Sequence, residues 1–289
     1  MGVVDFILNL AGLLLWLNWR SDRFDPLMRR VPATLMGTLR PAAPQKLSRW
    51  HLLAFLAGLL FVRALIYWWI ATEMNWAGKV NLGVVVLWFS SNPHWSGFCH
   101  MLLFSFLSFG IMLGTFYVLL LPLSLIGGPM PVQGLVTIPL GRIDGWPRWV
   151  KVLLPLLVTA LAWWGLSWLL VQMQILPPVT PAGRFQQSVV LGVSSYLLWQ
   201  YPVEVILLLH LLNSYIYFGR HSFWKYITST AQILLRPLKK MPLQVGKVDL
   251  APLVGVTLVF LLGCTVKEGI HWHWLNIPGL ADIYQKLSR

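Results

Sequence analysis

The chain has 289 residues, of which 57% are hydrophobic and 11% charged, with 17 Trp and a formal net charge of +13. A water-soluble domain of this size could not bury so much apolar surface, so the composition excludes one. The basic residues lie between apolar runs rather than along a soluble face, which excludes direct nucleic-acid binding in favour of apposition to a membrane.

Six apolar stretches of roughly twenty residues, enough to cross the hydrocarbon core, read at 3–19, 50–71, 98–126, 149–176, 188–218 and 249–265. The fold class they predict is all-α, a polytopic membrane bundle. The opening MGVVDFILNL lacks a basic region and a small-residue cleavage pattern, so no cleavable signal is expected. Segments 20–49, 127–151 and 219–248 together carry sixteen Lys/Arg, against five (Lys79, Arg184, Lys267, Lys286, Arg289) on the opposite side. The positive-inside rule then places the three basic loops in the cytoplasm and both termini on the outer, periplasmic side.

The loops suggest an internal repeat of span, interfacial segment and span. The first unit is 1–72 with its basic loop 20–49, the second is 98–176, and the third is 188–265. Arg40-Pro41 echoes Arg236-Pro237, and Ile143-Asp144 echoes Val248-Asp249. Residues 73–97 include NLGVVVLWF, too short to span, and read as an outer surface helix or re-entrant piece. Residues 177–187 read as an outer loop. The tail 266–289, with HWHWLNIPGLADIYQKL, reads as a Trp-anchored helix at the outer interface.

The stretch 218–265 organises the rest. Phe223, Tyr226, Ile227, Thr230 and Leu234 recur at helical spacing, and Ser222 is the expected cap. Arg236, Lys239 and Lys240 follow where Pro237 must end or kink the helix. Such a helix suits a membrane surface better than a crossing. Leu234-Leu235-Arg236-Pro237-Leu238-Lys239-Lys240, then Gly246-Lys247-Val248-Asp249-Leu250-Ala251-Pro252 and a span, resembles the signature of the YggT/YlmG family of small bacterial and plastid membrane proteins. The resemblance covers 218–265 and is loose elsewhere. It implies a multi-pass protein of the bacterial inner membrane. Relatives are linked, without a settled mechanism, to cell division, nucleoid or chloroplast morphology, haem-protein assembly and osmotic tolerance.

Few residues can carry chemistry. Arg63 and Glu204 each sit thirteen to fourteen residues, roughly 20 Å, from the cytoplasmic ends of their spans. Equal depth and opposite charge predict a buried Arg63–Glu204 pair, either a static tie or part of an ion path. His210, Asn213 and Tyr217 share one helix face. They could line a polar cleft or ligate haem, but no second histidine lies at that depth, so hydrogen-bonded packing is expected and no cofactor is assigned. Cys99, His100, His94, Cys264, His271 and His273 fall near one outer level and are weak metal candidates. A Cys99–Cys264 disulfide is a further option in an oxidising compartment. The basic residues Arg29, Arg30, Arg40, Arg236, Lys239 and Lys240 are candidates for binding anionic lipid headgroups, at about 1 kcal/mol per charge, or a membrane protein partner.

No H-E-x-x-H, G-x-S-x-G, P-loop or paired carboxylates appear, so no enzyme is expected. The leading expectation is a non-catalytic membrane scaffold or assembly factor. The alternatives are an ion or osmolyte channel or transporter using Arg63 and Glu204, and a haem- or metal-handling assembly factor.

Overall fold

An apolar run in hydrocarbon can satisfy its own backbone donors and acceptors only as a helix. The computed structural model describes residues 2–20, 49–74, 76–90, 95–126, 139–216, 222–238, 244–245, 248–272 and 275–287. Among them six helical segments are long and apolar enough to cross a membrane: Val3–Arg20, Trp50–Met74, Ser96–Leu125, Arg148–Gln172, Pro181–Tyr215 and Ala251–Glu268. The chain is therefore an all-α, multi-pass membrane bundle, with five of the six spans within a few residues of where the hydropathy places them. At most 28% of any span is buried inside the protein. The outward Phe6, Leu14, Phe55, Leu161 and Trp164 form a surface that suits lipid rather than water.

In chain order the elements are α1 (Gly2–Arg20), α2 (Arg49–Met74), β1 (Gly78–Asn81), β2 (Val86–Phe89), α3 (Trp95–Ile126), α4 (Arg148–Gln172), α5 (Pro181–Ser194) and α6 (Gln200–Tyr215). They continue with α7 (Ser222–Leu234), β3 (Gln244–Val245), β4 (Val248–Asp249), α8 (Ala251–Glu268), β5 (Gly269–Trp272), β6 (Leu275–Pro278) and α9 (Leu280–Leu287). Short 3₁₀ turns lie at Gly141–Gly145 and Ser195–Trp199. The chain divides into two compact units, Met1–Gly78 with Phe89–Leu113, and Lys79–Trp88 with Gly114–Arg289.

In the first unit, α1 packs along α2, and Leu56, Leu60 and Phe109 form its apolar centre. Gly12 lets the Phe109 ring lie against α1, since a Cβ there would stand 2.9 Å from the ring. In the second unit, α4 packs along α5, and α6 packs on both α7 and α8. Its main core joins Ile206 and Leu207 of α6, Tyr226, Ile227 and Ala231 of α7, Leu235, and Ala251 of α8. Of the positions that predict this helix, Tyr226, Ile227 and Thr230 lie on its buried face, Leu234 is half-buried and Phe223 is exposed. The helix stops at Leu234, ahead of Pro237.

Three local expectations are corrected. Within the expected 73–97 segment, Gly78–Asn81 and Val86–Phe89 form a β-hairpin, not a surface helix. Val80 and Leu87 are buried while Lys79, Val86 and Trp88 point out, the period-2 pattern of a half-buried strand. Gly83 takes φ +85 in its turn, Leu82 N–H donates to Val85 O at 2.8 Å, and Gly83 N–H donates to Asn81 Oδ1 at 2.8 Å. The tail is likewise not one helix. Gly269, at φ +82, ends α8, and β5 and β6 pair antiparallel before the short α9 begins.

The fifth span begins at Pro181, inside the expected 177–187 loop, because Thr180 caps it by accepting from Gly183 N–H at 3.2 Å. It is then interrupted by the 3₁₀ turn. There Ser194 and Ser195 donate to the carbonyls of Leu191 and Gly192, and Pro202 has no N–H to offer Leu198.

Candidate functional site

The most developed polar site lies in the first unit, around Arg63. Its position midway along α2 places it in hydrocarbon, and its side chain is 1% exposed. Nη1 donates to Asn9 Oδ1 at 2.6 Å, and Nη2 donates to Asp5 Oδ1 at 2.9 Å and to Ser108 Oγ at 3.0 Å. Asn9 Nδ2 donates to the same Ser108 hydroxyl at 3.1 Å, and the Tyr67 hydroxyl donates to Asp5 Oδ1. The guanidinium also lies 5.3 Å from the Tyr67 ring centroid and 5.9 Å from that of Phe104. One charged pair and a set of neutral hydrogen-bonding groups therefore tie α1, α2 and α3 together.

This arrangement corrects the expected Arg63–Glu204 pair: the carboxylate on Arg63 is that of Asp5. The depth argument could have found it. Asp5 is fifteen residues from the Arg20 end of α1, about 22 Å, and Arg63 is fourteen from the Arg49 end of α2, about 21 Å.

Glu204, in α6, belongs to the second unit. Its Oε1 is buried and has no hydrogen-bond partner among the described residues. One turn earlier, the Gln200 side chain fills the space left by Gly263 of α8, where a Cβ would collide with the amide. Farther along α6, Asn213 donates from Nδ2 to Thr228 Oγ1 of α7 at 3.3 Å, so it pins α7 to α6. His210 lies on the same helix, and Tyr217 is outside the described residues.

A second polar knot was not anticipated. Ser124, near the end of α3, donates to Asp144 Oδ1 at 2.6 Å. Lys151, on the first turns of α4, donates to Ser124 Oγ at 2.8 Å and to Asp144 Oδ1 at 3.2 Å. Lys151 is 6% exposed although the sequence counts it only as a loop charge. The Ser124 hydroxyl, and after it the Lys151 ammonium, hold the Asp144 carboxyl below its ordinary range, against the opposing effect of burial.

The described Cys/His candidates each have their own surroundings. Cys99 and Cys264 are free thiols. His100 Nδ1 lies 3.2 Å from Ser90 O. His271 Nδ1 lies 2.8 Å from Asn276 Oδ1, and its Nε2 lies 3.1 Å from both Glu268 O and Asp282 Oδ2. His94 and His273 are outside the described residues. Among those described, no group of three or more His, Cys, Asp or Glu could hold a metal ion. Of the basic candidates, Arg236 is exposed just past the end of α7, while Arg29, Arg30, Arg40, Lys239 and Lys240 are outside the described residues.

What fold and sites define is a class, a multi-pass helical membrane protein with buried polar ties. No family model, curated protein or solved structure matches the chain.

Proposed function

We propose that the chain is a non-catalytic membrane scaffold or assembly factor of the YggT/YlmG type, presenting a basic helix in the plane of the membrane. The observation that carries the reading is the two-faced burial of α7. Tyr226, Ile227, Thr230, Ala231 and the following Leu235 face the bundle, while Lys225, Ser229, Gln232 and Arg236 face outward. A surface helix that owed its apolar face to lipid would leave that face open. This one has it filled by α6 and α8, so its polar stripe is free for anionic headgroups or a membrane partner. The YggT-like signature runs through this same helix and into α8. The finer placement in a bacterial inner membrane, with both termini periplasmic and three span–interfacial segment–span units, rests on the resemblance and the sixteen-to-five charge asymmetry.

The test is a mild-detergent pull-down followed by mass spectrometry, comparing the parent chain with a triple Arg236→Gln, Lys239→Gln, Lys240→Gln variant. The reading expects a stoichiometric membrane partner, or co-purified anionic lipid, that the variant loses at unchanged expression and insertion. Equal recovery from both chains would remove the basic helix as the docking element.

A further inference from the structure

With Arg63 committed to Asp5, Glu204 is a carboxyl inside a membrane span whose buried Oε1 meets no hydrogen-bond partner among the described residues. It lies eleven residues, about 17 Å, from the Tyr215 end of its span, which is close to the middle of a hydrocarbon core about 30 Å thick. A carboxylate at that depth is retained only when a counter-charge accompanies it. Among the described residues, the elements packed against α6 do not supply one. From Ala251 to Gly263, α8 carries no ionisable side chain, and on α6 itself the only other titratable groups before Tyr215 are Tyr201 and His210. The lone cation of α7 is Lys225, which is exposed.

The backbone around Glu204 is also unusual for a span. The 3₁₀ turn Ser195–Trp199 breaks the long segment Pro181–Tyr215 directly before α6, and Pro202 leaves the Leu198 carbonyl without its helical donor. Gln200 adds a side-chain amide one turn from Glu204, on the face where Gly263 makes room for it. A 3₁₀ turn at mid-membrane, with a carboxyl and an amide one turn apart just after it, places side-chain oxygen atoms where hydrocarbon offers none.

We propose that Glu204 is the centre of a monovalent-cation site in the second unit, its ligand a proton or a sodium ion taken from the medium, with Gln200 and the backbone of the 3₁₀ break as its oxygen neighbours. The inference concerns binding and not transport. It stands apart from the polar stripe of α7 and the basic residues after it, so either reading can fail without the other.

Dicyclohexylcarbodiimide, an apolar reagent that partitions into bilayers, provides the test. The Glu204 oxygen adds to the carbodiimide carbon while the acid proton moves to a carbodiimide nitrogen. An acyl shift from oxygen to nitrogen then leaves an N-acylurea heavier by one whole reagent, with nothing released. The full chain in liposomes is labelled and the modified carboxyl is located by peptide mass spectrometry among the nine acidic residues. The expected product is modification at Glu204, absent from a Glu204→Gln variant that elutes like the parent.

Sodium chloride and choline chloride at matched ionic strength separate the two ligands. Protection by sodium alone assigns a sodium ion, because the metal-bound carboxylate has no proton to give. Labelling that ignores sodium and declines as pH rises assigns a proton. The proposal is overturned if Glu204 stays unmodified across the pH range in sodium-free liposomes, or if labelling spreads equally over the other carboxyls.

Discussion

Arg63 and Asp5, 58 positions apart in sequence, meet at 2.9 Å inside the first unit, the guanidinium midway along α2 and the carboxylate near the start of α1. The guanidinium is 1% exposed and the carboxylate 21%. Asp5 sits in the first turn of α1, where the helix dipole also favours a negative charge. Without Arg63, α1 would carry an uncompensated carboxylate into hydrocarbon. Without Asp5, α2 would carry an uncompensated guanidinium.

Breaking this pair from one side is therefore worse than removing it. Asp5→Asn leaves a buried cation without its anion, a change of about 3–5 kcal/mol for a buried pair, toward the lower end here because Asp5 keeps some exposure. A double variant, Asp5→Leu with Arg63→Met, removes both charges and is expected to recover much of the loss. Thermal melting in detergent by the decay of the monodisperse peak, run as a double-mutant cycle, measures the coupling. Additive losses would show that the two side chains act independently and that the tie contributes nothing.

The Ser124–Asp144–Lys151 knot gives a pH dependence. Asp144 is held below its ordinary value near 3.8, first by the Ser124 hydroxyl and then by Lys151. A carboxyl lowered on folding contributes stability that is present above its unfolded value and is lost as pH falls through its folded value. The parent chain should keep this contribution through mildly acidic conditions and lose it only below the ordinary carboxylate range. Ser124→Ala removes the first cause and should move the acid-side drop in melting temperature upward in pH. Lys151→Met should lower stability at neutral pH as well. An unchanged acid limb in Ser124→Ala would show that the hydroxyl does not hold Asp144.

The spans were legible because hydrocarbon allows a long apolar run one solution, and the buried face of α7 was legible because a 3.6-residue period names it in advance. The polar ties were not. A charge pair is a relation between helices, and the sequence yields depth along each helix but not which helices are neighbours. Arg63 was placed at the right depth and given the wrong partner for that reason. The hairpins were missed because Val84-Val85-Val86 is an apolar run as short as a strand, and within a membrane protein it was weighed as helix. The 3₁₀ break in the fifth span had a sequence signal in Ser194, Ser195 and Pro202, but composition alone reads through it.

Two glycines in helix interfaces should respond differently to the same substitution. At Gly192 of α5, an added Cβ would stand 2.9 Å from the backbone oxygen of Leu156 and 3.3 Å from Ala160 Cβ, both on α4. That approach is further fixed by the Tyr196 hydroxyl, which donates to Val152 O at 2.6 Å. Backbone cannot step aside, so Gly192→Ala must separate two closely packed helices, an overpacking change of about 1–3 kcal/mol. At Gly263 of α8 the obstacle is the end of the Gln200 side chain, which can rotate away. Gly263→Ala should therefore be mild alone and close to neutral with Gln200→Ala, while no side-chain truncation on α4 rescues Gly192→Ala. If Gln200 is held by a cation at Glu204, Gly263→Ala should instead weaken sodium protection of Glu204 against carbodiimide while leaving the melting temperature near that of the parent. Melting of the four variants, with labelling of Gly263→Ala in sodium and in choline, separates the two consequences.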